Sequence, residues 1–152
     1  MGHTRSIGVA LSSCHIPGAA GPSFLLGEDE MEMGMGIHGE PGLWRGPVRT
    51  ADALAEEMAD RLLPELSGLG DGRLAVLVNT LGATPVEELY IVYRRLADIL
   101  AASGHRVVAP LIGAYATSME MAGLSVSLCA LDDELALGLA APAHCPFWSV
   151  SR

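Results

Sequence analysis

The chain has 152 residues, of which 50% are apolar and 18% are charged, and its formal net charge is −9 at pH 7. These values predict a single globular domain with one hydrophobic core rather than a disordered segment. The acidic charge excludes the basic surface that nucleic acids and anionic membranes require, so neither is an expected partner.

The composition also predicts the environment of the chain. No apolar run approaches the roughly 18 residues of a membrane span, and the N-terminus lacks the basic-then-apolar order of a signal peptide, so we expect a soluble cytoplasmic protein. The high apolar fraction indicates a surface buried against another domain or against another copy of the chain, and a homodimer is the expected form of the second alternative. The three cysteines lack C-x-x-C spacing, which predicts reduced thiols, and the five histidines are scattered, so we expect no metal site.

The first part of the chain predicts two strands separated by a loop. Residues 6–13 are aliphatic and β-branched, which is typical of a strand, and residues 15–27 are rich in glycine and proline, which predicts a loop. Residues 30–38, EMEMGMGIH, alternate strictly, which predicts a second strand with two different faces. The face expected in the core carries Met31, Met33, Met35 and Ile37, and the opposite face carries Glu30, Glu32, Gly34, Gly36 and His38.

Two helices and a buried strand follow. The spacing of apolar residues predicts an amphipathic helix over residues 51–66, and the continuous apolar run at residues 73–79 predicts a strand buried on both faces. The next helix is predicted to begin with Thr84 as its N-cap and Pro85 at its first position, and to end at Gly104.

The last third of the chain predicts two further strands and a short helix. The strands are expected at residues 105–116 and 123–131, and the helix at residues 132–141, where Asp132 is the predicted N-cap. The complete order is strand, strand, helix, strand, helix, strand, strand, helix. It predicts an α/β or α+β layered domain in which helices cover a mixed sheet of about five strands.

Three motifs that could carry chemistry are better explained by structure. NTLGATP, residues 79–85, joins a strand to a helix that could hold a phosphate, but it lacks the lysine of a P-loop and the spacing of GxGxxG. The acidic residues within 27–32 could bind a hard cation, but a solvated strand start explains them equally well. SSCH, residues 12–15, offers nucleophiles without an evident base.

The sequence GMGIHGEPG, residues 34–42, surrounds one histidine with four glycines. A neutral imidazole has a free lone pair and can attack a carbonyl carbon, which makes His38 a candidate nucleophile, and Glu40 is a candidate partner for its second ring nitrogen. Close approach to the ring requires neighbours without Cβ atoms, as at Gly36, Gly39 and Gly42. The residues alone leave two interpretations open, a reactive histidine or a structural one among turn glycines.

Four segments resemble the second half of the substrate-binding subunit of dihydroxyacetone kinases: GVALSSCHIPG, EDEMEMGMGIHGEPG, LVNTLGATPVEELYIVYRRL and GAYATSMEMAGLSVSL. The resemblance extends from residue 5 to about residue 142. In that family the histidine of the GIHxEPG motif binds the ketone of dihydroxyacetone as a hemiaminal. The resemblance implies this role for His38, with Gly36, Gly39 and Glu40 as substrate-binding neighbours. Such a bond would separate a ketose from glycerol, since an alcohol cannot form it.

The resemblance also implies parts of the kinase that lie elsewhere. In the family an N-terminal domain carries the acid/base carboxylate and most hydrogen bonds to the substrate hydroxyls, and nothing in residues 1–152 matches it. We therefore expect one domain of a kinase that is inactive alone. The phosphoryl donor, either ATP on a partner domain or a phosphorylated phosphotransferase-system subunit, is expected outside this domain, which should bind no cofactor itself.

Three functions are therefore considered. The first is the carbonyl-binding domain of a dihydroxyacetone (glycerone) kinase. The second is the same domain for another short ketose, such as erythrulose. The third is a non-catalytic oligomerisation or regulatory module with the same fold.

Overall fold

The computed structural model describes residues 2–15, 17–37, 40–146 and 148–151. Within these residues there are eight strands and three helices. In chain order they are β1 (Thr4–Ala10), β2 (Glu30–Met33), β3 (Trp44–Pro47), α1 (Ala51–Glu65), β4 (Arg73–Thr80), α2 (Val86–Ala102), β5 (Arg106–Gly113), β6 (Gly123–Leu131), α3 (Asp133–Ala140), β7 (Ala143–Cys145) and β8 (Trp148–Val150).

Six of the strands form one mixed sheet in the order β3-β2-β1-β6-β4-β5. Strands β4 and β5 are parallel, as expected for strands joined through a helix, and the remaining neighbours are antiparallel. Strand β2 pairs with β1 at Val9 and Ala10, near the end of β1. The last two strands form a separate hairpin, β7-β8.

Helices α1 and α2 cover one face of the sheet. The side chain of Thr50 caps α1 by accepting a hydrogen bond from the N–H of Ala53 at 3.3 Å. Both helices contribute a stripe of buried side chains at helical spacing, and each fully buried leucine contributes about 1.5–3 kcal/mol of hydrophobic stabilisation. These side chains are Leu54, Met58 and Leu62 from α1 and Leu89, Val92, Leu96 and Leu100 from α2. None of the helices in the described ranges is long and apolar enough to cross a membrane.

The opposite face of the sheet is only partly covered. Alternate residues of β6, such as Val126 and Leu128, are buried in the core, and the residues between them, Ser125 and Ser127, are half-buried and line a cavity. Helix α3 and strand β8 lie toward β5, where they line a second cavity of about 440 Å³. The face beside β1 therefore remains accessible, and the cavity there is the candidate site described below.

Much of the predicted order is confirmed. The α/β class with a mixed sheet is correct, the helix predicted at residues 51–66 is α1 (Ala51–Glu65), and β6 has the predicted bounds. Asp132 caps α3, as predicted, because its Oδ1 accepts a hydrogen bond from the N–H of Leu135 at 2.8 Å.

The predicted cap of α2 is wrong. Pro85 is the N-cap residue and makes no side-chain cap. The hydroxyl of Thr84 instead accepts a hydrogen bond at 2.7 Å from the N–H of Gly123, at the start of β6. Thr84 therefore joins two segments that are distant in sequence, which a local capping pattern does not reveal.

The strand predicted at residues 30–38 is also shorter than expected. It ends at Met33, because Gly34 has a φ of 86°, a left-handed conformation that turns the chain out of the sheet. The first strand covers residues 4–10 rather than 6–13, and β3 raises the strand number of the sheet to six. The β7-β8 hairpin was likewise absent from the predicted elements.

Candidate functional site

The segment of residues 34–43, called the glycine-rich loop below, leaves the sheet and returns to its starting point. At its entry the N–H of Gly34 donates to the carbonyl of Gly8 at 2.6 Å, and at its exit the N–H of Leu43 donates to the carbonyl of Met33 at 2.6 Å. A Cβ at Gly34 would lie 2.6 Å from Cγ of Leu43, so the two ends approach each other too closely for a larger residue. The loop is therefore closed at its base on β1 and β2.

The predicted nucleophile, His38, belongs to this loop by its place in the sequence. His38 and Gly39 are outside the described residues, so the roles assigned to them stay predictions. A cavity of about 880 Å³ is lined by the first four residues of the loop, Gly34–Ile37, and by its last residue, Leu43. The rest of its lining includes small and polar groups of the sheet, such as Ser6, Gly8, Ser125, Ser127 and Asn79.

The structure brings together two of the predicted site residues, Gly36 and Glu40. The N–H of Gly36 donates to the carbonyl of Glu40 at 3.3 Å, and the carboxylate of Glu40 lies against the Cα of Gly36. A Cβ at Gly36 would overlap Oε2 of Glu40. The missing side chain at Gly36 therefore makes room for a carboxylate within the same loop.

Glu32 and Arg45 form a second group at the base of the glycine-rich loop. They lie opposite each other between β2 and β3, and Nη2 and Nε of Arg45 donate to Oε2 of Glu32 at 2.6 and 3.1 Å. The other oxygen of Glu32 accepts the N–H of Gly42 at 2.7 Å. Burial alone raises the pKa of Glu32, but the Gly42 N–H and the Arg45 guanidinium outweigh it, so the pKa lies below its ordinary value.

The burial of Glu32 was not predicted. The sequence places it among solvated acidic residues, whereas only 7% of its surface is exposed. The signal that could have found it is Arg45, which is its cross-strand neighbour once β3 is recognised.

Hydrogen bonds occur within or next to each of the three motifs interpreted as structural. In the acidic segment, Oε2 of Glu30 accepts the N–H of Gly27 at 2.9 Å. In NTLGATP, the hydroxyl of Thr80 donates to the carbonyl of Thr84 and accepts the N–H of Gly82. In SSCH, Cys14 is buried, with Sγ 3.4 Å from the hydroxyl of Ser118.

Asn79 is a buried polar residue at the same cavity that sequence reasoning treated only as part of a motif. Its Oδ1 accepts the N–H groups of Tyr115 and Ala116 at 2.8 and 2.9 Å, and its Nδ2 donates to the carbonyl of Ala116 at 2.6 Å. The side chain thus fixes the segment after β5 against the end of β4.

The charged groups that line the cavity compensate one another. Arg5 is paired with Glu65 at 2.7 Å, and Arg61 is paired with Glu57 at 2.7 Å, a distance typical of charge-assisted hydrogen bonds. Because both guanidinium groups already have carboxylate partners, the cavity is better suited to a small neutral polar ligand than to an anion.

Comparison with known proteins gives relatives among ketose kinases and their subunits. The chain is 47% identical to an L-erythrulose kinase of Pectobacterium atrosepticum over 94% of this chain and 25% of that protein. It is 43% identical to the dihydroxyacetone-binding subunit DhaK of a PTS-dependent dihydroxyacetone kinase of Listeria innocua, over 97% of this chain and 45% of that protein. The chain thus spans less than half the length of these relatives.

A solved structure agrees with these sequence matches. It is described as a dihydroxyacetone kinase operon co-activator and superposes with a TM-score of 0.82 at 33% identity, covering 92% of this chain and 44% of the other. The Dak1 domain matches residues 1–147 of the sequence. The chain therefore belongs to the Dak1 domain family of dihydroxyacetone kinase subunits and their homologues.

Proposed function

We propose that the chain is the substrate-binding domain of a kinase for short ketoses and that His38 holds the ketone as a hemiaminal. The observation that carries the proposal is the position of the glycine-rich loop. Its residues immediately before His38 line a cavity in a Dak1 domain, and the arginines of that cavity are already paired. A neutral ketose fits that environment better than a phosphorylated one.

The bond to the substrate is a simple addition. A neutral ring nitrogen of His38 donates its lone pair to the carbonyl carbon, a C–N bond forms, and the π electrons of C=O move to oxygen. The proton of the second ring nitrogen leaves and a proton reaches the new alkoxide, so the adduct contains every atom of the ketose and of the imidazole. The ketone is thereby recognised by a reaction that an alcohol cannot undergo.

The neighbours of His38 have distinct roles in this proposal. Gly39 keeps the approach to the ring free of a Cβ atom, Gly36 makes room for the carboxylate of Glu40, and Glu40 orients the imidazole by accepting a hydrogen bond from its second ring nitrogen. The position of the Glu40 carboxylate against Gly36 supports this role, because it keeps that carboxylate within the loop that contains His38.

Phosphoryl transfer to a substrate hydroxyl requires further parts. We propose that the chain corresponds to the second half of the substrate-binding subunit and acts with an N-terminal kinase domain, as a homodimer. The donor, ATP on a partner domain or a phosphorylated phosphotransferase-system subunit, binds elsewhere. The lengths of the relatives support the proposal that other domains carry the remaining parts of the kinase, since each relative is at least twice as long as the matched region.

The substrate is either dihydroxyacetone or a four-carbon ketose. Relatives with both kinds of name share more than 40% identity with the chain, so identity does not separate them. Comparing phosphorylation of dihydroxyacetone and erythrulose by the assembled kinase decides between them.

The test of the proposal is carbon NMR of the chain with dihydroxyacetone labelled at its carbonyl carbon. Addition to His38 converts that carbon from trigonal to tetrahedral and moves its signal far upfield. Free dihydroxyacetone also forms a hydrate with a tetrahedral carbon, so the diagnostic signal is a protein-bound one, broadened and distinct from that of the hydrate in a sample without protein. We expect this bound signal with the wild-type chain, its loss in His38→Ala, and its retention in His15→Ala, which removes an exposed histidine elsewhere. A bound upfield signal that persists in His38→Ala, or none with the wild type, contradicts the proposal.

A regulatory function is the second candidate, because the chain superposes closely on a protein described as an operon co-activator. A non-catalytic module would self-associate tightly and form no adduct at millimolar dihydroxyacetone. Because the kinase domain is also proposed to be a homodimer, self-association does not distinguish the two functions, and the presence or absence of the adduct signal decides between them.

A further inference from the structure

We propose that Glu32, held by Arg45, is a positioning residue that sets the conformation of the glycine-rich loop and thereby the reactivity of His38. The inference rests on the proposed function of His38. It concerns residues that neither the resemblance nor the comparisons assign to the site.

The carboxylate of Glu32 binds the exit of the loop directly. Its Oε1 accepts the N–H of Gly42 at 2.7 Å, and the next residue, Leu43, donates its N–H to the carbonyl of Met33 at 2.6 Å. Two consecutive hydrogen bonds therefore fix the returning chain four and five residues after His38. A carboxylate acceptor makes the Gly42 bond stronger than a neutral one would be.

Gly42 is the residue that allows this approach. A Cβ at Gly42 would lie 2.5 Å from the carbonyl oxygen of Met33 and 2.7 Å from Cγ of Glu32. One of the four glycines around His38 thus serves the contact with Glu32 rather than access to the imidazole.

Arg45 holds the carboxylate and connects it to a second segment. It binds Oε2 of Glu32 through Nε and Nη2, and its Nη1 donates to the carbonyl of Leu25 at 2.8 Å. The side chain of Glu32 is only 9% exposed, so its charge is screened little and its orientation is restricted. The Glu32–Arg45 pair therefore fixes both the glycine-rich loop and the loop that precedes β2 relative to β2.

A graded set of variants tests the role. Glu32→Gln keeps an oxygen that can accept the Gly42 N–H but loses the charge pair with Arg45, whereas Glu32→Ala loses both. We expect the adduct equilibrium constant to fall at least about tenfold in Glu32→Ala, since a misplaced reacting group can cost about a hundredfold, and to fall less in Glu32→Gln. Arg45→Lys, which loses the two-nitrogen contact, should resemble Glu32→Gln.

The matched control is Thr84→Val. The hydroxyl of Thr84 is another buried acceptor of a glycine N–H, that of Gly123 at 2.7 Å, but Thr84 does not line the cavity. We expect this change to lower the free energy of unfolding without changing the adduct constant. The ring signals of His38, assigned with His38→Ala, should shift in Glu32→Ala and remain unchanged in Thr84→Val.

The outcomes distinguish this inference from the proposed function. If the wild type forms the adduct and Glu32→Ala forms it with a constant within twofold, the positioning role is wrong while the proposed function stands. If the wild type forms no adduct, the proposed function fails, and unshifted His38 ring signals in the Glu32 variants overturn the positioning role separately. Where Glu32→Ala does not fold, Glu32→Gln and Arg45→Lys decide by the same two measurements.

Discussion

The carboxylate of Glu40 lies in the space that a side chain of Gly36 would fill. Gly36 therefore does not simply leave an empty approach to the imidazole. The absence of a side chain at Gly36 leaves room for the carboxylate of Glu40, and the N–H of Gly36 donates to the backbone carbonyl of Glu40. The backbone and the side chain of Glu40 thus both contact Gly36.

Gly36→Ala should displace Glu40 with little loss of stability. The added Cβ overlaps the end of a flexible, exposed side chain, which can move away, so we expect the free energy of unfolding to fall by less than about 1 kcal/mol. The adduct constant should fall more than stability does, because the tautomer of His38 loses its partner. Urea unfolding and the carbonyl NMR signal measure the two effects, and Gly21→Ala, where a Cβ meets nothing within 4 Å, is the control.

Gly42→Ala should lower the free energy of unfolding more than Gly36→Ala does. Here the Cβ would meet the backbone carbonyl of Met33 at 2.5 Å, and a backbone atom inside the sheet cannot move aside as a side chain can. We expect a loss of about 1–3 kcal/mol in the free energy of unfolding, the usual cost of overpacking. Equal losses in Gly36→Ala and Gly42→Ala would contradict the distinction between a side-chain and a backbone obstacle.

Asn79→Ala should destabilise the domain although it removes only one amide. The side chain binds two N–H groups and one carbonyl of residues 115 and 116, and the alanine removes all three contacts. Because both of these residues are exposed, water can reach part of the freed groups, and we expect a loss of about 1–2 kcal/mol in the free energy of unfolding rather than the full cost of buried groups. Thermal and urea unfolding provide the measurement.

Two further variants test the explanation for Asn79. Asn79→Asp keeps the acceptor for both N–H groups but cannot donate to the carbonyl of Ala116 when ionised, so it should also be destabilised at neutral pH. Ser125→Ala removes a more distant partner, at 3.4 Å from Nδ2, and should change stability by less than about 1 kcal/mol. A neutral effect of Asn79→Ala would mean that water replaces the amide without cost.

The sequence predicted those features that depend on short-range patterns. Helix α1 follows from a repeat of apolar residues every three or four positions, and the Asp132 cap follows from a residue whose partner, Leu135, is three positions away. The bounds of β6 follow from a run of apolar residues that begins at a glycine. In each case the residues that determine the element lie within it.

Features that depend on distant partners were missed. Thr84 has a strong capping pattern, yet its hydroxyl binds Gly123, which follows 39 positions later. Strand β3 is only four residues long and contains Gly46 and Pro47, so no local pattern indicates it, and without β3 the partner of Glu32 cannot be identified. The glycines around His38 suggested an open approach to the ring. In the structure, the space beside the Cα of Gly36 is occupied by Glu40, and the space beside the Cα of Gly42 is occupied by Glu32 and the carbonyl of Met33.

The stability of the α1–β3 contact should depend on pH through Glu57. Its carboxylate accepts the indole N–H of Trp44 at 2.7 Å and pairs with Arg61 and Arg49 at 2.7 and 2.9 Å. Burial raises the pKa of Glu57, but the Trp44 donor and the two arginines outweigh it, and the pKa lies below its ordinary value. The folded state therefore favours the ionised form.

A lowered pKa stabilises the folded state above the pKa of the unfolded chain, about 4.3, and this contribution is lost as the pH falls through the lower folded value. The free energy of unfolding of the wild type should thus exceed that of Glu57→Gln by about 1 kcal/mol at pH 7, and the difference should shrink as the pH falls below about 4.3. Glu32 is present in both proteins, so its own titration cancels. Urea unfolding of both proteins across this range gives the difference, with Glu88→Gln on the exposed face of α2 as the control. A difference that is the same at pH 3 and pH 7 would mean that the amide loses packing or geometry at this position rather than the charge pairs.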